Sequence, residues 1–360
     1  MLKSPPFPLS IEEIDALFLS EHLGMDIHNF RYERIGADRG MLGEIYRVTI
    51  QSDIGTQEVV AKFSAQRKEA LDNAKRGGTH ERELRCYDEL LNSTPISIPE
   101  IFACWFDEDS SEYLILQEFI VFDQSVDQID GITIAQSKLV IEEAAAMHAH
   151  WWEHSDLVQS NWLPRLNDDR RRTNLTTVTR LGWGPLTEIL DEGGLTYPEI
   201  SGDRLADEID GMLCDLSNFS STLIHSDLRA DNLLFNTSGD GVMIVDWQGC
   251  SFGPSSFDIT YHMIQSLSID DRRQYETELL DHYISSLESF GHQITSDEVH
   301  KLYRNSILYS LSIACAVPLI NDVESPRVKE LAFSMASRTL AALDDHDIDF
   351  GRGPNAGVIG

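Results

Sequence analysis

In His225-Ser-Asp-Leu-Arg-Ala-Asp-Asn232 an acid, Asp227, stands five residues ahead of an amide, Asn232. The segment is polar and lies between two short apolar runs, Thr222-Leu-Ile224 and Leu233-Leu-Phe235. An aspartate in such a loop can accept the proton of an attacking hydroxyl, and the asparagine can offer an amide oxygen to a divalent cation. Fourteen residues after Asn232, Asp246 closes the apolar run Val242-Met-Ile-Val245. A carboxylate there can hold Mg²⁺ against phosphate oxygens. Upstream, Val59-Val-Ala-Lys62 sets a lysine in an apolar strand, where its stem is desolvated and its ammonium directed. Phosphoryl transfer from ATP needs these parts: held phosphates, a divalent metal and an oriented hydroxyl.

The order of the parts narrows the chemistry further. His225-x-Asp227-x-x-x-x-Asn232 matches the catalytic-loop pattern HxDxxxxN of kinases, and Lys62 stands where their phosphate-binding lysine belongs. Glu83 and Glu81, both in Glu81-Arg-Glu-Leu-Arg-Cys-Tyr87, compete to be its partner. Glu83 is preferred, because Tyr87 then sits one turn later on the same helix face. Gly36-Ala-Asp-Arg-Gly40-Met-Leu-Gly43 reads as the loop that covers the phosphates, with spacing GxxxGxxG rather than GxGxxG. Each part has a plainer reading taken alone: a snorkelling lysine, a glycine-rich hairpin, a polar turn with capping side chains.

The elements that must carry these residues follow from hydrophobic periodicity. Ser10-Ile-Glu-Glu13 has capping-box spacing and opens a short helix to about Leu23. Glu44–Ile50 alternates as a strand, Asp53-Ile-Gly55 turns the chain, and Glu58–Phe63 is a second strand. A helix over Thr79–Leu91 and strand-like runs at Ile101–Phe106 and Tyr113–Ile120 follow. Beyond Phe119 helices dominate: one capped by Thr133-Ile-Ala-Gln136, then 269–290, 295–317 and 325–343. Residues 155–220 give few sharp signals. The expectation is an α+β chain in two parts, an antiparallel-sheet lobe over 1–118 and a mainly helical lobe over 119–350. The tail 351–360, GRGPNAGVIG, is expected to lack fixed structure.

Bulk properties bound the partners. The 360 residues are enough for two lobes, and the formal charge of −32 repels nucleic acid and anionic lipid. It suits a solvated acidic surface and permits a cationic small-molecule acceptor. Cys86, Cys104, Cys214, Cys250 and Cys315 lie far apart with no CxxC pair, which fits a reducing cytoplasm. No apolar run approaches the length of a membrane span or a signal-peptide core, so neither is expected.

Taken in order, these motifs resemble the aminoglycoside phosphotransferase and choline-kinase superfamily, and most of all its ecdysteroid-kinase-like branch with bacterial relatives. The residues that carry the resemblance are Arg82–Tyr87, Met147-His-Ala-His-Trp151, His225–Phe235, Val245-Asp-Trp-Gln248 and Gly253-Pro-x-x-x-Asp258. It covers about residues 30–320 and is most specific over 220–262. The resemblance implies a bilobed protein-kinase-like fold, with ATP in the cleft and a small hydroxylated molecule as phosphate acceptor. It implies Lys62 on the phosphates, Glu83 holding Lys62, Asp227 as base, Asn232 and Asp246 on Mg²⁺, and Asp258 as a structural acid. It also implies adenine on the backbone near Gln117, Glu118 and Phe119. The family usually has glycine where Ser226 stands, so the substitution requires backbone angles open to a side chain.

Other readings compete. A kinase-like module that binds nucleotide without transfer is the main rival. Gly249-Cys-Ser251-Phe-Gly253 is a literal GxSxG, the pattern of a hydrolase nucleophile, although Pro254 fits such an elbow poorly. His150 and His154 share a helix face at metal-ligand spacing, with packing as the ordinary alternative. Arg170-Arg-Arg172 offers positive charge to an anion or simply ends a helix in solvent.

Overall fold

Alternating apolar residues build a sheet in the first third of the chain, and its pleat decides where Lys62 points. The computed structural model describes residues 2–36, 43–65, 67–123, 126–348 and 350. The chain divides into two compact units. One holds the described residues to Asp123 together with Leu234–Ser238 and Met243–Gly249, and the other holds the remaining described residues.

The first unit contains β1 (Leu2–Lys3), α1 (Ala16–Leu23), β2 (Ile27–Ile35), β3 (Gly43–Ser52), β4 (Gly55–Ser64), α2 (Lys68–Gly77), α3 (Thr79–Arg85), β5 (Ile101–Phe106) and β6 (Tyr113–Glu118). The strands form one sheet in the order β1-β5-β6-β4-β3-β2, antiparallel except for the short pairing of β1 with β5. Ser52 pairs with Gly55, and Gly55 adopts φ +115°, so the expected turn needs a residue without a Cβ there. Val59, Ala61 and Phe63 point into a core with Val48, Ile50, Leu114, Leu116 and, from the N-terminal segment, Ile11, Ile14 and Leu19. With period 2, Lys62 is turned to the opposite face, between Ile45 and Ile115 on the flanking strands.

Two local expectations change. Ser10 caps nothing with its side chain and precedes only a 3₁₀ turn, Ile11–Glu13. The helix starts later, where Asp15 accepts from the Phe18 N–H. This entry lets both Ile11 and Ile14 reach the core. The helix read over Thr79–Leu91 is α-helical only to Arg85 and continues as a π turn, Cys86–Leu90.

The second unit is mainly helical: α4 (Ile134–Trp151), α5 (Ser155–Gln159), α6 (Asp169–Glu192), α7 (Gly202–Leu216) and the short strand β7 (Thr222–Ile224). The strands β8 (Leu233–Phe235) and β9 (Val242–Ile244), most of whose residues belong to the first unit, pair with each other, and β10 (Ser251–Gly253) pairs antiparallel with β7. α8 (Ser256–Ser266), α9 (Ile269–Ser289), α10 (Ser296–Ile320) and α11 (Pro326–Asp345) complete it. Thr133 and Gln136 form a full capping box on α4, and Thr295 caps α10 through the Glu298 N–H. α6 and α7 occupy much of the stretch that gave few signals. Gly182 of α6 lies so close to α10 that a Cβ would meet the Cys315 carbonyl oxygen at 2.0 Å. α8 is buried over its whole length. Two of its polar side chains bond inside: His262 to the Ser137 hydroxyl and Gln265 to Thr339. Burial holds the His262 pKa down to about 3, so the ring is neutral.

Candidate active site

The sequence-predicted residues fall into two clusters, one in each unit. In the first, the pleat aims Lys62 at α3, where its Nζ donates to Glu83 Oε1 at 2.7 Å. Glu81, the competing partner, pairs with Arg85 instead. Glu83 is 1% exposed, and its second oxygen accepts from the Gln248 side-chain amide at 3.2 Å. Asp246 Oδ1 lies 3.4 Å from Lys62 Nζ. Burial alone would lower the Lys62 pKa, but the charge of Glu83, with Tyr113 and Asp246 behind it, raises it well above the usual lysine value. Burial pushes Glu83 up while Lys62 opposes it. Lys62 is therefore a fixed cation among acids.

Asp246 has φ +67°, a left-handed conformation that is strained for a residue with a Cβ. The segment after it is held by Arg82, whose guanidinium donates to the carbonyls of Gln248 and Gly77 at 2.7 Å each. Asp246 thus keeps its geometry through its downstream neighbours, and its side chain remains 40% exposed. Gln117 and Glu118 end β6, and Glu118 pairs with Val59 of β4. Beside them the Arg47 guanidinium stacks 4.5 Å from the centre of the Phe119 ring. Of the glycine-rich segment, Gly36 has φ +70° beyond β2, whereas Gly40 lies outside the described residues, as does the tail 351–360. At Gly43 a Cβ would meet the Phe63 carbonyl oxygen at 2.6 Å, so this glycine serves the close pairing of β3 with β4.

The second cluster is the loop 225–232. Asn232 donates from its side-chain nitrogen to the Asp227 carbonyl at 2.8 Å and to Asp227 Oδ2 at 2.9 Å. Both bonds use the amide nitrogen, which turns the amide oxygen away as a donor for a cation. Arg229 Nε donates to Asp227 Oδ1 at 3.1 Å, and its Nη1 donates to Asp231 at 2.9 Å. Asp231 in turn accepts from the Gln128 N–H at 3.1 Å. The Asp227 carboxylate is held by one donor on each oxygen.

Beneath the loop, Asp258 of α8 accepts the N–H of His225 at 2.6 Å and of Ser226 at 2.7 Å. His148 of α4 stands 3.4 Å from Asp258 and 3.0 Å from the Tyr283 hydroxyl. Tyr309 of α10 donates to the Ser226 carbonyl at 2.7 Å, and the Ser226 and Ser251 hydroxyls bond each other at 2.8 Å. Ser226 has φ +67°. Its backbone is therefore in the region that glycine takes freely, contrary to the requirement for angles suited to a side chain. Four hydrogen bonds hold it there, counting both backbone groups and the hydroxyl alongside the neighbouring His225 N–H. Ser226→Gly should lose one hydroxyl bond and gain chain entropy, offset by about 1 kcal/mol of relieved backbone strain. Denaturant midpoints should then place it within about 1 kcal/mol of the parent, while the β-branched Ser226→Val should cost about 2–3 kcal/mol.

The rival motifs find other uses. Ser251 is fully buried in β10, with its hydroxyl against Ser226, and is not an exposed strand–helix elbow. His150 and His154 each pack against Trp151, and no group of three or more candidate metal-binding His, Cys, Asp or Glu side chains occurs among the described residues. Arg172 forms a two-pronged pair with Asp210 and ties α6 to α7. Sequence reasoning missed Gln248, Arg229 and Gln128. Only Arg229 left a local signal, a cation two residues from Asp227.

An antiparallel-rich sheet followed by a helical region is also the fold of solved structures that match this chain over most of its length. A putative aminoglycoside phosphotransferase from Ralstonia eutropha superposes with a TM-score of 0.56 at 14% identity, covering 92% of this chain and 97% of that one. Plasmodium vivax ethanolamine kinase gives 0.55 at 12% identity, covering 91% and 88%. At such identities the likeness speaks for the fold. In sequence, the ecdysteroid kinase-like family matches residues 199–295, a span that includes the loop, Asp246 and Asp258. An uncharacterised kinase-like protein of Caenorhabditis elegans is 27% identical over 179 residues, which is 46% of this chain. The match spans 44% of that relative's length. The resemblance drawn from the motifs is borne out as a sequence match to the ecdysteroid kinase-like family over residues 199–295 and as a likeness of fold to the phosphotransferase and kinase structures.

Proposed function

We propose that this chain is an ATP- and Mg²⁺-dependent kinase that phosphorylates a hydroxyl of a small molecule. The observation that carries the reading is the Lys62–Glu83–Asp246 cluster: a buried, permanently charged cation beside a strained, partly exposed carboxylate. Asp246 and Asn232 present hard oxygen donors, the chemistry that suits Mg²⁺. Bound Mg²⁺ supplies charge neutralisation on the phosphates. Lys62 binds the α- and β-phosphates, and Glu83 fixes Lys62. Gly36, Gly40 and Gly43 cover the phosphates, and the backbone at Gln117–Phe119 takes the adenine. Asp227 accepts the acceptor hydroxyl's proton as that oxygen bonds to the γ-phosphorus and the bond to the departing ADP oxygen breaks. Asp258 holds the loop. Five free thiols and the absence, among the described residues, of a helix able to cross a membrane fit a cytoplasmic site of action.

The test is ADP release from ATP across a panel of amino alcohols, aminoglycosides, sugars and sterols, with and without EDTA. Metal-dependent release that rises with one class of acceptor supports the reading and names the class. ATP binding without release under any condition would favour the nucleotide-binding module instead.

A further inference from the structure

One buried hydroxyl near Asp227 has no assigned work. Tyr261 lies on α8 one turn beyond Asp258, at i+3, and so on the face that Asp258 turns to the loop 225–232. Its ring is 5.5 Å from that of Tyr309, whose hydroxyl reaches Ser226. Tyr261 is 1% exposed, and its hydroxyl lies within reach of the Asp227 carboxylate without forming a well-aligned hydrogen bond among the described residues. The other buried tyrosines of this unit spend theirs: Tyr283 on His148, Tyr303 on Glu276 and Tyr309 on Ser226. A phenylalanine would pack equally well without a stranded hydroxyl, so the oxygen is a cost to the fold unless the site uses it. Burial first, and then the negative charge of Asp227, raise the Tyr261 pKa well above the usual tyrosine value. The group stays a donor, and Asp227 is the strongest charge acting on it.

The Asp227 carboxylate has room for it. Two carboxylate oxygens offer about four acceptor positions. Arg229 takes one on Oδ1 and Asn232 takes one on Oδ2. The acceptor hydroxyl needs one more, which leaves a place for a further donor. We propose that Tyr261 is a positioning residue: its hydroxyl donates to the Asp227 carboxylate and orients the remaining lone pair toward the acceptor hydroxyl. The inference rests on the phosphotransfer reading. It goes beyond it by assigning work to a residue that no motif marks.

Tyr261→Phe tests it, because the ring and its packing are kept. The assay is ADP release from Mg²⁺-ATP with water as the hydroxyl acceptor, giving kcat and the KM for ATP, beside a thermal unfolding scan. The expected result is a kcat about tenfold lower or more, a KM for ATP within about twofold of the parent, and an unfolding temperature equal or higher. An active parent with an equally active variant overturns the proposal and leaves the kinase reading intact. A kcat that falls together with the unfolding temperature shows a structural hydroxyl and overturns it too. No release by the parent above the level of Asp227→Asn, with water or with any acceptor class of the panel, removes the kinase reading itself, and the assignment of Tyr261 falls with it.

Discussion

Asp227→Asn should lower metal-dependent phosphoryl transfer by about 10²–10⁴-fold while the protein stays folded, the range expected when a general base is removed. The substitution keeps the planar shape and an oxygen for Arg229, and the bond from Asn232 to the residue 227 carbonyl is untouched. What it removes is the capacity to accept a proton, together with the Oδ2 acceptor of the Asn232 side-chain bond. The KM for ATP should stay within about twofold, because Lys62, Glu83 and Asp246 keep their own contacts. Single-turnover transfer and an unfolding scan on the same sample separate the effects. Equal rates for parent and variant at saturating Mg²⁺ would remove the assignment of Asp227 as base.

That prediction could be framed from sequence because the loop is local. Asp227 and Asn232 are five residues apart, and the bond between their side chains needs no distant segment. The Lys62–Glu83 pair joins residues 21 apart, yet a strand and a helix of regular period fix both directions. What surrounds them was less legible. Ser226 reads as an ordinary polar residue, and its left-handed backbone shows only once Asp258 and Tyr309 are seen to hold it. α6 carries Gly182, Gly184 and Pro185 within 24 residues, which local rules read as breaks. Gly182 is there because α10 passes at backbone distance, a fact of packing that no window of sequence contains. α8 hides Tyr261 for the opposite reason. A helix buried on every side has no polar face, so its tyrosine reads as one more core ring. Gln248 and Arg82 escaped because their bonds cross about 165 residues.

Lys62→Met should abolish transfer and also destabilise the protein by about 3 kcal/mol, since removing one partner strands the other buried charge. Glu83 is 1% exposed and, among the described residues, would keep the Gln248 amide as its hydrogen-bond partner. Burial already pushes its pKa above the usual glutamate value, with Lys62 pulling against that push. Without the lysine the folded-state pKa rises further, and the sign of the pH dependence follows. A carboxyl whose folded pKa exceeds its unfolded value favours folding when protonated. That contribution is lost as pH rises through the folded pKa. The stability deficit of Lys62→Met should therefore be large at neutral pH and shrink as the pH is lowered toward the ordinary glutamate range. The double variant Lys62→Met/Glu83→Gln separates structure from chemistry. A neutral amide needs no cation, so urea midpoints at neutral pH should recover by about half of the loss or more. Phosphoryl transfer should stay absent, because the phosphates still lack their ammonium. A double variant no more stable than the single one would mean that the stranded Glu83 charge is not what costs the fold. A double variant that regained transfer would remove Lys62 from the proposed site.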